Sequence, residues 1–325
     1  MHPIRVGLVG TGYAAKVRAE SLQADARAQL VAVAGHTIDK ARAFSETYAA
    51  QPAASWMELV NRAELDLLVI ATINRDHGPI ARAALQAGKH VVVEYPLALE
   101  WAEAEALVSL AHQQNKLLHV EHIELLSGIH QAVQTALAEI GTPLYVRYTN
   151  LNAQRPAPQK WTYSLDQFGF PFMGAVSRIH RLTNLFGRVA TVTGQARFWH
   201  ESAESDQYTS CLCTAQLRFA NGLVAEVVYG KGEAIWRSAR TLEIHAAEGG
   251  IFVDGEQGTL VQANQTRSLE MGSRRGLFAK DTAMVLDYLT TGAPLYVSLD
   301  ASLYALKVAD AIRRSAETGR TIELE

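Results

Sequence analysis

Glycines at a defined spacing come first. The run Gly7-Leu8-Val9-Gly10-Thr11-Gly12-Tyr13-Ala14-Ala15 contains G-x-G-x-x-A, placed after an apolar, β-branched segment and before a helical one. That context makes it a candidate dinucleotide-binding turn. Gly10 permits the tight turn, Gly12 lets the backbone approach a pyrophosphate, and Ala15 is small enough for close helix–strand packing. Thr11, Tyr13 and Ala14 complete the turn and open a helix whose N-terminus favours an anion. About 20 residues on, where an NAD-selective site carries an acid, the chain reads Gly35-His36-Thr37 with no carboxylate. His36 and Thr37 can donate to a 2′-phosphate, which favours NADPH, with NADH the weaker cofactor. Lys40 and Arg42 either add charge there or are solvated helix residues. Arg178 and Arg181 stand i, i+3, so they share a helix face, and arginine forks suit carboxylates. His119, Glu121 and His122 superficially suggest metal ligands. On a strand His119 and Glu121 share one face while His122 leaves it, which makes no convergent triad, and no metal is expected. Glu121 and His122 follow a strand's carboxyl end and are candidates to line a cleft.

The elements that must position these residues change character along the chain. Over the first 120 residues strands alternate with helices: Ile4–Val9, a helix to about Asp25, Leu30–Ala34, Asp39–Ala49, a helix Trp56–Arg62 capped by Ser55, Leu65–Ala71, a helix His77–Ala87 closed by Gly88, His90–Val93, Ala102–Asn115 and Leu117–Val120. This pattern predicts a doubly wound parallel sheet. Beyond it come a helix around His130–Ile140, a strand Leu144–Tyr148, a polar stretch Asn150–Gln159 with Pro156 and Pro158, and a helix Phe172–Phe186. Strands with hairpin turns then run from Val189 to about Asn264, and helices return at Thr282–Leu289 and Ser302–Glu317. The expected fold class is α/β: an N-terminal Rossmann domain, 1–122, and a C-terminal α+β domain with a mostly antiparallel sheet, 123–325.

Composition excludes several classes. The 325 residues are 48% hydrophobic, enough for two cores, and a net charge of -3 argues against a general nucleic-acid binder. Cys211 and Cys213 sit two apart on a strand, roughly 6.5–7 Å, too far for an easy disulfide. No apolar run reaches the length of a membrane span and no leader-like segment precedes the first strand, so a cytoplasmic protein is expected.

Two further landmarks, Ala71-Thr72-Ile73-Asn74-Arg75-Asp76-His77 and Glu94-Tyr95-Pro96, fall just beyond strand carboxyl ends, where open α/β sheets place ligands. They resemble paired landmarks of the glucose–fructose oxidoreductase (Gfo/Idh/MocA) family, and the resemblance covers essentially the whole chain. It implies that Thr72, Ile73, Asn74, His77, Glu94 and Tyr95 border the cofactor. The family usually carries Glu-Lys-Pro, its lysine working with an aspartate and a histidine of the second domain on an alcohol proton. Here those positions are Tyr95, Met173 and Ser177. Oxidising a carbinol needs a base, so a sugar or cyclitol dehydrogenase is the disfavoured alternative.

Within the family the chain resembles the biliverdin reductase branch, through Glu94-Tyr95-Pro96, the run Leu118–Leu126, Ser177-Arg178, and, in its cyanobacterial members, Ala157–Tyr163, Phe168–Pro171, Tyr229–Glu233 and Gly272–Phe278. The implied activity is NADPH-dependent hydride transfer to the central methine carbon of biliverdin, giving bilirubin. The implied site residues are Arg178, Tyr95 and Glu94 as catalytic groups, with Arg181, Glu121 and His122 binding substrate. Arg178 either docks a propionate or places the proton near a pyrrole nitrogen. Tyr95 either contacts substrate or is there for backbone geometry before Pro96. Glu94 orients neighbours or contacts the nicotinamide ribose. A non-catalytic NADPH or bilin sensor is the reading from another class. Monomer and homodimer both stay open.

Overall fold

The structure is a computed structural model that describes residues 2–201 and 205–324. The first compact unit comprises residues up to Ile123 together with Gly276–Leu303. Its chain order is β1 Ile4–Val9, α1 Tyr13–Gln23, β2 Ala28–Ala34, α2 Ile38–Thr47, β3 Gln51–Ala53, α3 Trp56–Asn61, β4 Leu67–Ile70, α4 Asn74–Gln86, β5 His90–Val93, α5 Trp101–Gln113 and β6 Leu118–Val120. The sheet is ordered β3-β2-β1-β4-β5-β6, and every pair in it is parallel. The apolar runs of β1 and β4 are buried almost throughout, because helices cover both faces of a parallel sheet. Ser55 caps α3 as expected, accepting from the Glu58 amide at 3.2 Å.

Three local expectations change. The edge strand β3 contains Pro52, which breaks a strand pattern but is tolerated at an edge. Helix α4 begins at Asn74, not His77, and keeps Pro79 inside it at the loss of one backbone bond, so Asn74 and His77 lie in its first turns. The expected division at 122/123 also changes, because the chain returns to the first unit. The helix Leu277–Thr291 packs on α1, and Val285 joins Ala19, Leu22 and Val69 in one apolar cluster.

The second unit comprises Glu124–Arg275 and the residues from Tyr304 onward. Its elements are α6 Gly128–Ala136, β7 Pro143–Ala153, α7 Leu165–Phe168, α8 Pro171–Gly174, α9 Ser177–Phe186, β8 Val189–His200, β9 Tyr208–Phe219, β10 Val224–Gly232, β11 Ala239–Ala246, β12 Gly249–Asp254, β13 Gln257–Gln262 and β14 Gln265–Leu269. After α10, Leu277–Thr291, come the helix α11, Leu299–Thr318, which belongs to this unit from Tyr304 on, and β15, Ile322–Glu323. The sheet order is β14-β13-β12-β11-β7-β10-β9-β8-β15, antiparallel throughout except for the parallel pair β7–β10. Strand β7 runs five residues past the expected Tyr148. Its polar end is held in the sheet by β10 on one side and β11 on the other, and the prolines at 156 and 158 lie beyond it. The expected helix Phe172–Phe186 is two pieces, α8 and α9, broken at Ala175 (φ -116, ψ 38). Cys211 and Cys213 are buried free thiols on β9. Among the described residues no helix is long and apolar enough to cross a membrane.

Burial in this unit has a consequence in acid. His130 on α6 and His180 on α9 are 2% and 1% exposed. Burial pulls both imidazoles down to about 4. The fold holds them neutral, so their contribution is fully present above their ordinary value of about 6.5 and is lost as pH falls towards 4. Taking the protein from pH 7 to pH 5 is expected to cost about 1–2 kcal/mol per histidine, read by urea unfolding. His130→Gln should shrink the loss; an unchanged loss in that variant would contradict the assignment.

Candidate functional site

The glycine turn has the shape its spacing demands. Gly10 sits at φ +125, and a Cβ there would stand 2.1 Å from the Ala71 carbonyl oxygen, so only glycine fits. A Cβ at Gly12 would meet nothing within 4 Å, which leaves open space where a pyrophosphate would approach. Gly12 is the N-cap of α1 and offers no side-chain cap, and no acidic residue stands in the first turn. The amides of Tyr13, Ala14 and Ala15 are therefore well placed for an anion. At the tip of β2, His36 and Thr37 are exposed; Thr37 caps α2 by accepting from the Lys40 amide at 3.3 Å, and its hydroxyl proton remains available. Arg42 lies 3.4 Å from Asp39, a surface pair that takes up part of its charge. These residues fit a phosphorylated dinucleotide.

Both strand-tip landmarks are tied together by His77, which is 1% exposed. Its Nδ1 lies 2.7 Å from the Pro96 carbonyl and its Nε2 3.3 Å from the Thr72 carbonyl. Burial lowers its pKa, so the ring is neutral with one N–H, and the shorter contact is the one it can donate to. His77 thus holds the loop after β4 against the loop after β5. Asn74 is buried beside it, while Thr72 is half-buried and turns its hydroxyl to the Ile73 carbonyl at 3.2 Å. The Tyr95–Pro96 bond is cis. The Tyr95 ring lies parallel to that of His122, centroids 5.9 Å apart and planes 5° apart; His122 is 1% exposed, so it backs Tyr95 from within and does not line a cleft.

A buried polar network that sequence reasoning did not find lies in the same unit. Arg18, one helical turn past the glycine pattern, is 1% exposed. Its Nε donates to Glu94 Oε1 at 3.0 Å and its Nη1 to Thr282 Oγ1 at 3.1 Å and to Asp281. Asp281 also bonds His119 Nε2 at 2.8 Å and accepts from the Tyr296 hydroxyl at 2.8 Å. The same hydroxyl accepts from the His122 amide at 2.9 Å. Burial alone would raise the Asp281 carboxyl; Arg18 and His119 outweigh it and hold Asp281 well below the usual carboxylate range. Glu121, 1% exposed, is raised well above that range by burial first and by Glu94 next, and it accepts from the Ile123 amide at 2.6 Å. His119 is therefore engaged by a carboxylate. Among the described residues no three His, Cys, Asp or Glu side chains gather as a metal site. A charged residue on the buried side of α1 was the available signal for Arg18; nothing local marked Asp281.

In the second unit Arg178 and Arg181 do share a face of α9, and both line one pocket with Ser177, Glu124, Arg240 and Arg274. Their situations differ. Arg181 is 6% exposed, with Nη2 donating to Glu124 at 3.0 Å and Nη1 to the Tyr148 hydroxyl at 3.3 Å. Arg274 donates to the same Glu124. Arg178 is half-buried, its Nη1 donates to Ser177 Oγ at 2.9 Å, and its guanidinium stands 5.6 Å from the Tyr229 ring centroid. Met173 and Ser177, which stand where the resemblance puts an acid and a histidine, are both buried. Lys231, two residues along β10 from Tyr229, is buried against the rings of Tyr163 and Phe168, at 4.6 and 4.2 Å, and donates to the Thr162 carbonyl. Burial brings its ammonium down to about 8. Its quoted motif gave no sign of this cage.

Two family descriptions match the chain: an oxidoreductase family with an NAD-binding Rossmann fold over residues 4–122, and the C-terminal alpha/beta domain of that oxidoreductase family over 136–324. A crystal structure of biliverdin reductase from Synechocystis sp. PCC 6803, solved with biliverdin and NADP+, superposes with a TM-score of 0.94 at 52% identity, covering 97% of this chain and 99% of that one. Biliverdin reductase A of Mus musculus is 34% identical over 188 residues, 58% of this chain. That match spans only 58% of the mouse protein's length. Myo-inositol 2-dehydrogenase of Thermotoga maritima aligns over 99% of both chains at 21% identity.

Proposed function

Because the chain belongs to the Gfo/Idh/MocA oxidoreductase family, we propose that it catalyses the NADPH-dependent reduction of biliverdin to bilirubin. The observation that carries this reading is the similarity, at 52% identity and over 97% of the chain, to a Synechocystis enzyme crystallised with both biliverdin and NADP+. The site agrees with it. A pocket with four guanidinium groups and a single carboxylate suits an acidic substrate. The positions that would hold an alcohol-oxidising base carry Tyr95, Met173 and Ser177 instead.

NADPH, when bound, supplies the hydride that adds to the central methine carbon; NADH serves more weakly. The chain's own groups bind and orient. The α1 amides and Gly12 receive the pyrophosphate, and His36 and Thr37 donate to the 2′-phosphate. Arg18 holds the Glu94 carboxylate at the end of β5, and the buried His122 ring backs the Tyr95 ring beside it. Arg178 docks a propionate or holds the water that protonates a pyrrole nitrogen. A guanidinium is itself a poor acid, with a pKa above about 12.

The test is to mix purified protein with biliverdin and NADPH and follow the visible spectrum. Loss of the blue-green band with growth of a yellow one is the expected result. Unchanged biliverdin across a range of pH would overturn the reading, and tight binding of either ligand without turnover would point to a sensor.

A further inference from the structure

The pocket of the second unit has a floor as well as a helical wall. On the floor Tyr148 pairs with Leu242, and Leu242 with Val253; all three are buried. Two residues further along the same strands, Asn150 pairs with Arg240. Residues two apart on a strand share a face, so Arg240 and Asn150 extend this floor towards solvent, and both line the pocket. The charges here are unevenly spent. Glu124 takes both Arg181 and Arg274, and it is the single carboxylate in the lining. Arg240 is exposed, and among the described residues it forms no ion pair. Arg178 comes from α9 and Arg240 from the sheet, so two cations reach the pocket from different layers.

We propose that Arg240, with Asn150 beside it as a neutral donor, is a second carboxylate anchor, and that the pocket selects substrates carrying two carboxylates, one met by Arg178 and one by Arg240. This rests on the biliverdin reading, since biliverdin has two propionates. A flat conjugated molecule with one anchor leaves when a single contact breaks; a second anchor from another layer must be broken as well, so the diacid is held more tightly than a molecule with one carboxylate. Arg240 binds. It makes no bond to a reacting atom.

The test compares biliverdin with its dimethyl ester in steady-state kinetics. Arg240→Ala is expected to raise KM for the diacid about tenfold and leave kcat within about twofold, the pattern of a contact made equally in ground and transition states. The ester, which has no carboxylate to lose, should show the same KM with the variant as with the wild type. Arg240→Lys should recover part of the loss, because a lysine keeps the charge without the fork. An unchanged KM for the diacid would overturn the proposal, and so would an equal rise for diacid and ester, which would mean packing. Spectral titration of biliverdin without NADPH reads the same contrast as binding. A diacid-to-ester difference that survives there while turnover fails would sink the reaction and leave the anchor standing.

Discussion

Asp281→Ala is expected to cost about 3–5 kcal/mol of stability, the loss that follows when one partner of a buried ion pair is removed and the other charge stays. Asp281 is 0% exposed and Arg18 1% exposed, so neither can turn to water. The substitution strips Arg18 of one of its two carboxylates and leaves His119 and the Tyr296 hydroxyl without their shared acceptor. Against a typical stability of roughly 5–15 kcal/mol this is a large share. Urea unfolding at pH 7, followed by circular dichroism, measures it; a loss under about 1 kcal/mol would contradict the network. The double variant Arg18→Met, Asp281→Leu removes both charges and should recover part of the loss, because well-packed apolar replacements of a buried pair are often neutral while Glu94, His119 and Tyr296 still lose a partner. The pH dependence separates this site from the buried histidines. A carboxyl held well below its ordinary value contributes stability that is present above about 4 and lost as pH falls through the depressed value. Asp281 therefore adds nothing to the loss expected between pH 7 and pH 5.

The same network explains why part of the site was legible in the sequence and part was not. Gly10 and Gly12 could be read because the chemistry is local: a tight turn, a strand before it and a helix after it all lie within about twenty residues, and the backbone at φ +125 admits nothing but glycine. The alternation that gave the parallel sheet is local in the same way. Asp281 was not legible because its partners, Arg18 and His119, are 263 and 162 residues away in sequence, and α10 carries no mark that it returns to the first unit. His77 reads as a cofactor neighbour; the structure adds that it joins two loops by donating to the Pro96 carbonyl, which no side-chain pattern reports. Arg178 and Arg181 look alike by spacing, yet burial beside Glu124 and Tyr148 commits Arg181 to holding the pocket's shape. Strand β7 continues past Tyr148 because pairing on both sides overrides the loop preference of its polar residues and nearby prolines.

Arg178→Ala is expected to lower kcat/KM for biliverdin by at least about 10-fold, the loss that follows when a charge-assisted hydrogen bond to a bound group is removed. How the loss divides decides what Arg178 does. If it docks a propionate, KM rises, kcat holds, and the dimethyl ester is turned over equally by variant and wild type. If it holds the water that protonates the pyrrole nitrogen, kcat falls for diacid and ester alike, by about 100-fold or more, and the solvent isotope effect grows as proton delivery becomes limiting. The local structure favours a defined guanidinium position under either role: Nη1 is tied to Ser177 Oγ at 2.9 Å and the group stands 5.6 Å from the Tyr229 centroid. Added guanidinium ion should restore part of the activity of the alanine variant, since the missing group is a planar cation of the same shape. Near-normal turnover by Arg178→Ala would remove it from the reaction. The pocket's remaining binding would then rest on Arg240, because Arg181 and Arg274 are already held by Glu124.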